Sequence, residues 1–271
     1  MTIPLFQVDA FTSTPFRGNP AAVCLLEEPR DDAWLQAVAA EMNLSETAFV
    51  RPVGRRFELR WFTPTIEVPL CGHATLASAH VLFTEQRVAG ETIEFETKSG
   101  VLTARRRDTL IELDFPAAAP EAADSPDELI PALGVAARFV GRNQLDWIVE
   151  VEGEREVREA SPDFRLLSAV NTRGVMITAT SDDAAFDFVS RYFAPAVGID
   201  EDPVTGSAHC CLGPFWSERL GKDELVGHQV SVRGGVVHVR PQGDRVLLRG
   251  EAVGVLRGTL TPEAFTWPAT K

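Results

Sequence analysis

Three places in this sequence bring together residue types that could do chemistry. Glu46 leads the apolar run Thr47-Ala48-Phe49-Val50, so its carboxylate sits at the mouth of a strand instead of on an exposed helix face. A carboxylate so placed can take and return a proton. The plainer reading is a strand-end Glu in water or paired with an arginine, because charged residues are seldom fully buried. Cys71-Gly72-His73-Ala74-Thr75 and Thr205-Gly206-Ser207-Ala208 each read as a tight turn feeding a helix. A helix start carries N–H groups without intrahelical partners and a partial positive charge. Two such starts facing one another would make an anion site, with Ser207 and Thr75 adding hydroxyl donors and a substrate carboxylate as the natural occupant. The plainer reading is that both are ordinary caps.

His73 stands at the first helix start, where the dipole disfavours the imidazolium and favours a neutral ring. Cys71, one residue before Gly72, would have a lowered pKa there and could act as a base. Its partner in position is Thr205, so a two-thiol epimerisation lacks its second thiol. His80 and His209 are expected to pack on helices, and His228 and His238 to lie in or beside exposed strands.

The elements that must position these residues occur twice. Glu67-Val68-Pro69-Leu70-Cys71-Gly72-His73-Ala74-Thr75 lies over Glu201-Asp202-Pro203-Val204-Thr205-Gly206-Ser207-Ala208-His209 at an offset of 134 residues, sharing Glu, Pro, Gly and Ala. Phe57 to Pro64 lies over Phe188 to Pro195 at 131, and Gly100-Val101 over Gly235-Val236 at 135, so the order is kept while the register drifts through small loop insertions. Self-similarity of this kind marks two homologous lobes. We place them at 1–118 and 119–271, with the Pro-containing stretch Pro116 to Asp124 as linker and the last residues able to cross back to lobe 1. Glu46 to Val50 lies over Gly174 to Thr178, so the carboxylate has no counterpart in the second lobe.

Strands are expected over Ile3 to Phe11, Ala21 to Leu26, Phe57 to Phe62, Thr92 to Phe95, Val101 to Arg105 and Leu110 to Phe115. Phe188 to Phe193, Val230 to Val232, Val236 to Arg240 and Val246 to Arg249 answer them. The stretch Ala184 to Phe193 also has apolar positions compatible with a helix, and the repeat decides for strand. Helices are expected from Asp31 or Asp32 to near Asn43, over Ala74 to Phe83, over Asp127 to Val135 and over Ser207 to Leu220, the last kinked or restarted at Gly213-Pro214.

A chain of 271 residues with 45% hydrophobic content suits two lobes with a core each. A formal net charge of −13 argues against a nucleic-acid partner, and Arg105-Arg106-Arg107 reads as a solvated hairpin. No apolar run reaches membrane-spanning length and the first residues have no signal-peptide pattern, so a cytoplasmic protein without a membrane partner is expected. Four cysteines without CxxC spacing indicate neither a disulfide framework nor a zinc site.

Asn43-Leu44-Ser45-Glu46-Thr47-Ala48-Phe49, Cys71-Gly72-His73-Ala74-Thr75 and Glu201 to His209 resemble the signatures of the PhzF-type phenazine-biosynthesis family. Gly18-Asn19-Pro20, Ser99-Gly100 and Ser231-Val232-Arg233-Gly234-Gly235 fit as well, so the resemblance spans nearly the whole chain. It implies an α+β fold like that of diaminopimelate epimerase: two pseudo-symmetric lobes, each a curled, mainly antiparallel sheet around a central helix, with the site between them and two chains per molecule. It also implies a cofactor-free, metal-free isomerase acting on a small carboxylate-bearing substrate. Glu46 matches the family's acid/base, His73 and Asp202 its supporting polar residues, and Ser45, Gly72, Gly206 and Ser207 the positions that hold substrate. The alternatives are a racemase or epimerase using Cys71, and a non-catalytic metabolite-binding protein on the same fold.

Overall fold

The computed structural model describes residues 2–266. The chain runs β1 (Ile3–Ala10), β2 (Asn19–Leu25), α1 (Asp32–Met42), β3 (Glu46–Val53), β4 (Arg56–Phe62), β5 (Glu67–Val68), α2 (Gly72–Thr84), β6 (Thr92–Thr97), β7 (Gly100–Arg107) and β8 (Leu110–Pro116). It continues through β9 (Glu121–Ala122), α3 (Leu129–Leu133), β10 (Phe139–Arg142), β11 (Asp146–Glu150), α4 (Glu154–Glu159), α5 (Phe164–Leu167), β12 (Gly174–Thr180), β13 (Phe188–Ala194) and β14 (Ile199–Asp202). It closes with α6 (Gly206–Leu220), β15 (Leu225–Gln229), β16 (Gly235–Gln242), β17 (Arg245–Gly250) and β18 (Ala252–Leu260). Two compact units result: residues up to Asp114 together with those from Arg249 onward, and Phe115–Leu248. Among the described residues no helix is long and apolar enough to cross a membrane.

In the first unit the strands are paired in the order β18-β1-β2-β3-β4-β6-β7-β8. All pairs are antiparallel except β2/β3 and β4/β6, whose parallel alignment follows from the helices α1 and α2 that intervene. Helix α1 starts where the Asp31 carboxylate accepts from Trp34 N–H at 2.7 Å and stops at Asn43, whose φ of 51° is left-handed. It buries Trp34, Leu35, Val38 and Ala39, with Phe49 and Phe62 in the same core cluster. Helix α2 is different in kind: ten of its thirteen residues are buried, which identifies a helix enclosed on all sides. Ala74, Ala77, Ser78 and Ala79 let strands approach its backbone closely, and it meets β18, β1, β2, β3 and also β7. Because β18 and β7 lie at opposite ends of the strand order, the sheet must curl around α2.

The second unit repeats this order. Its strands pair as β9-β10-β11-β12-β13-β15-β16, antiparallel except β11/β12 and β13/β15. The parallel pairs fall at the same two places as in the first unit. The short strand β14 hangs on β13 as β5 hangs on β4. Even the ion pairs match: Arg60 chelates Glu67 at 2.8 and 2.7 Å across β4/β5, and Arg191 chelates Glu201 at 2.7 and 2.9 Å across β13/β14. The Glu shared by the two sequence copies is thus a clasp on a hairpin.

Several expectations shift. Helix α6 runs unbroken through Pro214, because the carbonyl that Pro214 leaves without a donor, Cys210 O, accepts from Ala118 N–H at 3.0 Å. The strand expected over Val230 to Val232 lies five residues earlier, over Leu225–Gln229, and Ser231 to Arg233 are a bend. Gly227 hides this strand from a β-propensity reading, yet glycine is required there: a Cβ would stand 2.4 Å from the Phe188 ring. The helix expected over Asp127 to Val135 is confined to Leu129–Leu133 and ends at Gly134 with φ of 66°. Pro116 to Asp124 also carries structure, since β9 pairs with β10.

Candidate active site

In the first unit β3 begins at Glu46, beside Ala21 of β2, and α2 begins at Gly72. His73 Nε2 lies 3.1 Å from Glu46 Oε2 without the alignment of a hydrogen bond, and Oε2 is buried with no hydrogen-bond partner. On its other side the ring approaches the Cys71 sulfur, with Nδ1 at 3.6 Å. Both side chains are withdrawn from solvent, Glu46 with 14% and His73 with 6% exposure. Cys71, in extended backbone before the helix, makes no side-chain cap to α2. This contrasts with α1 and α5, whose starts are capped by Asp31 and Asp163.

Protonation here departs from what the helix dipole alone predicts. Burial opposes the imidazolium of His73, but the negative charge that Cys71 and Glu46 offer outweighs burial and pushes its pKa well above the ordinary value. Burial, then the Glu46 charge, push the Cys71 thiol up. The expectations of a neutral His73 and a lowered Cys71 pKa are therefore both reversed: close contact with Cys71 and Glu46 outweighs burial and the helix dipole at His73, and burial raises Cys71. One donor atom each from Glu46, Cys71 and His73 lie within 4.8 Å of one another, a span a metal ion could bridge. The set fits such an ion poorly, because ligation needs the thiolate that burial opposes and the helix start repels a cation.

In the second unit α6 likewise starts without a side-chain cap. Thr205, a residue type suited to capping, instead turns its hydroxyl to Asp202 Oδ2 at 2.5 Å, while its N–H donates to Gln229 Oε1 at 2.8 Å. Gln229 Nε2 donates to Asp202 O at 2.7 Å, so Asp202 and Gln229 together order the turn. Gly174 takes the place Glu46 has in the first unit: each opens its strand, and the residue two further on pairs with Tyr192 or with Trp61 respectively. A Cβ on Gly174 would stand 2.1 Å from Tyr192 Oη, so the phenol fills the space a side chain would need.

Glu46, Gly72, His73 and Cys71 are thus brought together, with Ser45 adjoining Glu46 in the chain. Asp202, Gly206 and Ser207 are brought together in the second unit. Thr75 is not available to a ligand: it is fully buried and its hydroxyl donates to Cys71 O at 2.5 Å, on its own helix. His209 is structural, with Nδ1 2.8 Å from Thr205 O and burial lowering its pKa to about 4. Missed by sequence reasoning were Asp146, Arg173, Tyr192 and Gln229. Arg173 was findable, since it directly precedes the residue aligned with Glu46; Asp146 and Gln229 come from distant segments with no readable motif.

A mixed sheet curled around a buried helix, built twice, with a carboxylate and imidazole in one copy, defines an α+β protein of two pseudo-symmetric units. A family model described as PhzC-PhzF, phenazine biosynthesis-like protein, matches residues 8–258. A Halalkalibacterium halodurans protein described as an uncharacterized isomerase is 53% identical over 262 residues, covering 96% of this chain and 99% of the relative. A solved PhzF-family structure from Enterococcus faecalis superposes with a TM-score of 0.93 at 42% identity, covering 96% of this chain and 100% of that one. A probable proline racemase from Agrobacterium radiobacter K84 shares the fold alone, with a TM-score of 0.63 at 13% identity and coverage of 98% and 94%. The chain belongs to the PhzC/PhzF phenazine biosynthesis-like family, a family of isomerases.

Proposed function

We propose that this protein is a cofactor-independent isomerase that moves a proton between carbons of a small carboxylate-bearing substrate, with Glu46 taking and returning the proton. The observation that supports it is the state of Glu46 Oε2, a buried carboxylate oxygen with no hydrogen bond of its own. A close polar neighbour, His73 Nε2, lies 3.1 Å away without the alignment of a hydrogen bond, and an oxygen with lone pairs left over is what a general base requires. The adjacent His73, whose pKa is pushed up against burial by Cys71 and Glu46, faces that oxygen as an imidazolium. Ser45 and Gly72 in the first unit, and Gly206 and Ser207 in the second, are proposed as substrate contacts, with uncapped helix starts suited to a carboxylate. Asp202 acts through Thr205, whose hydroxyl it holds.

The test is an NMR screen in D2O of unsaturated small carboxylic acids for isomerisation and C–H exchange, followed by Glu46→Gln. That substitution keeps size and polarity but removes the base, so turnover should drop by about 10²–10⁴-fold with ligand affinity little changed. Near-normal turnover in Glu46→Gln would overturn the assignment. An equal loss in Cys71→Ala with Glu46 intact would point to a thiol-based racemase.

A further inference from the structure

Ser207 is held by a neighbour that sets its hydrogen-bonding sense. Arg173 Nη2 donates to Ser207 Oγ at 3.1 Å. The guanidinium is fixed from behind: Nε donates to Asp146 Oδ1 at 2.8 Å and Nη2 also reaches Asp146 Oδ2. Asp146 has 1% side-chain exposure and accepts in turn from Tyr192 Oη at 2.9 Å. Burial, and next the Asp146 charge, raise the Tyr192 pKa, which keeps it a phenol able to donate. Burial opposes the charge of Arg173, and its hydrogen bonds to Asp146 more than restore it.

The consequences follow from donor and acceptor counting. A guanidinium carries donors only. A hydroxyl oxygen that receives an N–H must send its own hydrogen elsewhere, and among the described residues Ser207 Oγ has no acceptor. Arg173 keeps 34% of its side chain exposed. The Ser207 hydroxyl and the exposed part of the Arg173 guanidinium are therefore both donors. The matched corner of the first unit has the opposite sense: Ser45 stands where Arg173 is, Ala21 where Asp146 is, and the open group there is a carboxylate oxygen.

We infer that Arg173 is a positioning and specificity-determining residue that makes the Ser207 hydroxyl an obligate donor and restricts the ligand group seated against it to an anionic acceptor, a carboxylate. This rests on Ser207 being a substrate contact and is independent of the proton chemistry at Glu46.

The probe is acetate, titrated into the ¹⁵N-labelled full chain while the Arg173 Nε–H and Ser207 amide resonances are followed; acetamide, of the same shape without charge, is the control. A saturable shift is expected with acetate, and binding weaker by about tenfold or more with acetamide. Ser207→Ala should weaken acetate by a similar factor while leaving the Arg173–Asp146 pair intact. Arg173→Met combined with Asp146→Asn, which avoids a buried unpaired charge, should abolish the shift of Ser207. Arg173→Lys, a cation without the fork, should recover part of it. No saturable shift with acetate, equal affinity for acetamide, or unchanged acetate affinity in Ser207→Ala and the double variant would overturn the inference. Glu46→Gln should bind acetate as wild type does; if that variant also kept full turnover, the proton-transfer reading would fall while this one stood.

Discussion

Gly174→Ala tests whether the matched position of the acid/base is closed by packing. Backbone at Gly174 lies outside the left-handed region, so alanine meets no conformational bar there. Its Cβ would, however, stand 2.1 Å from Tyr192 Oη and 2.3 Å from Cζ. Ordinary carbon contacts begin near about 3.5 Å, so the ring must withdraw by roughly 1.3 Å. Tyr192 is 4% exposed and bonded to Asp146 at 2.9 Å, which leaves it no free direction. Breaking a hydrogen bond to a charged group costs about 1.5–3 kcal/mol and overpacking about 1–3 kcal/mol, offset by about 0.4–1 kcal/mol of chain entropy. The middle of that range is a net loss of about 3.5 kcal/mol, roughly 7–14 °C in melting temperature. Thermal and urea unfolding of Gly174→Ala, Tyr192→Leu and the double variant would measure it. In the Tyr192→Leu background the alanine should become neutral or stabilising, because the obstruction is gone. A Gly174→Ala protein as stable as wild type would refute the reasoning, and with it the claim that packing excludes a second carboxylate.

Other outcomes follow from the same geometry. The His73 ring should titrate above 6.5, with its midpoint falling in Glu46→Gln, followed by NMR of its ring nitrogens; a wild-type midpoint below 6.5 would contradict the pairing. By linkage, His73 stabilises the fold fully below its unfolded pKa and loses that contribution as pH rises through the folded value. His209 behaves oppositely: with its pKa lowered from 6.5 to about 4, the unfolded chain takes up the proton first, so about 3 kcal/mol of stability should be lost as pH falls through that window. Unfolding of His209→Gln across the same window should show a flatter dependence. All four cysteines are buried and free, so native protein should resist a thiol reagent at pH 8 that labels it after unfolding, and Cys71→Ala should keep most of the turnover that Glu46→Gln loses.

Much of this was legible in the sequence because it is local or periodic. Repetition at an offset near 134 residues exposed the doubled architecture, and it decided for strand at Phe188–Ala194 where periodicity alone allowed a helix. The α1 boundaries follow from Asp31 and Asn43, whose side chain and left-handed tolerance act within one turn. Glu46 stood out because a carboxylate opening an apolar strand conflicts with its surroundings. What the tertiary structure alone decided involves atoms far apart in the chain. The Pro214 break is absorbed by an amide ninety-six positions earlier, Ala118. The raised pKa of His73 comes from Cys71 beside it and from Glu46, twenty-seven residues upstream, and the part due to Glu46 is Coulomb energy that depends on a distance only the fold sets. The second unit's donor corner joins Asp146 on β11, Arg173 in the bend before β12, Tyr192 on β13 and Ser207 at a helix start, and no spacing rule connects them. Local sequence determines which groups are available; the fold determines which of them are desolvated together, and desolvation sets their charge and their hydrogen-bonding sense.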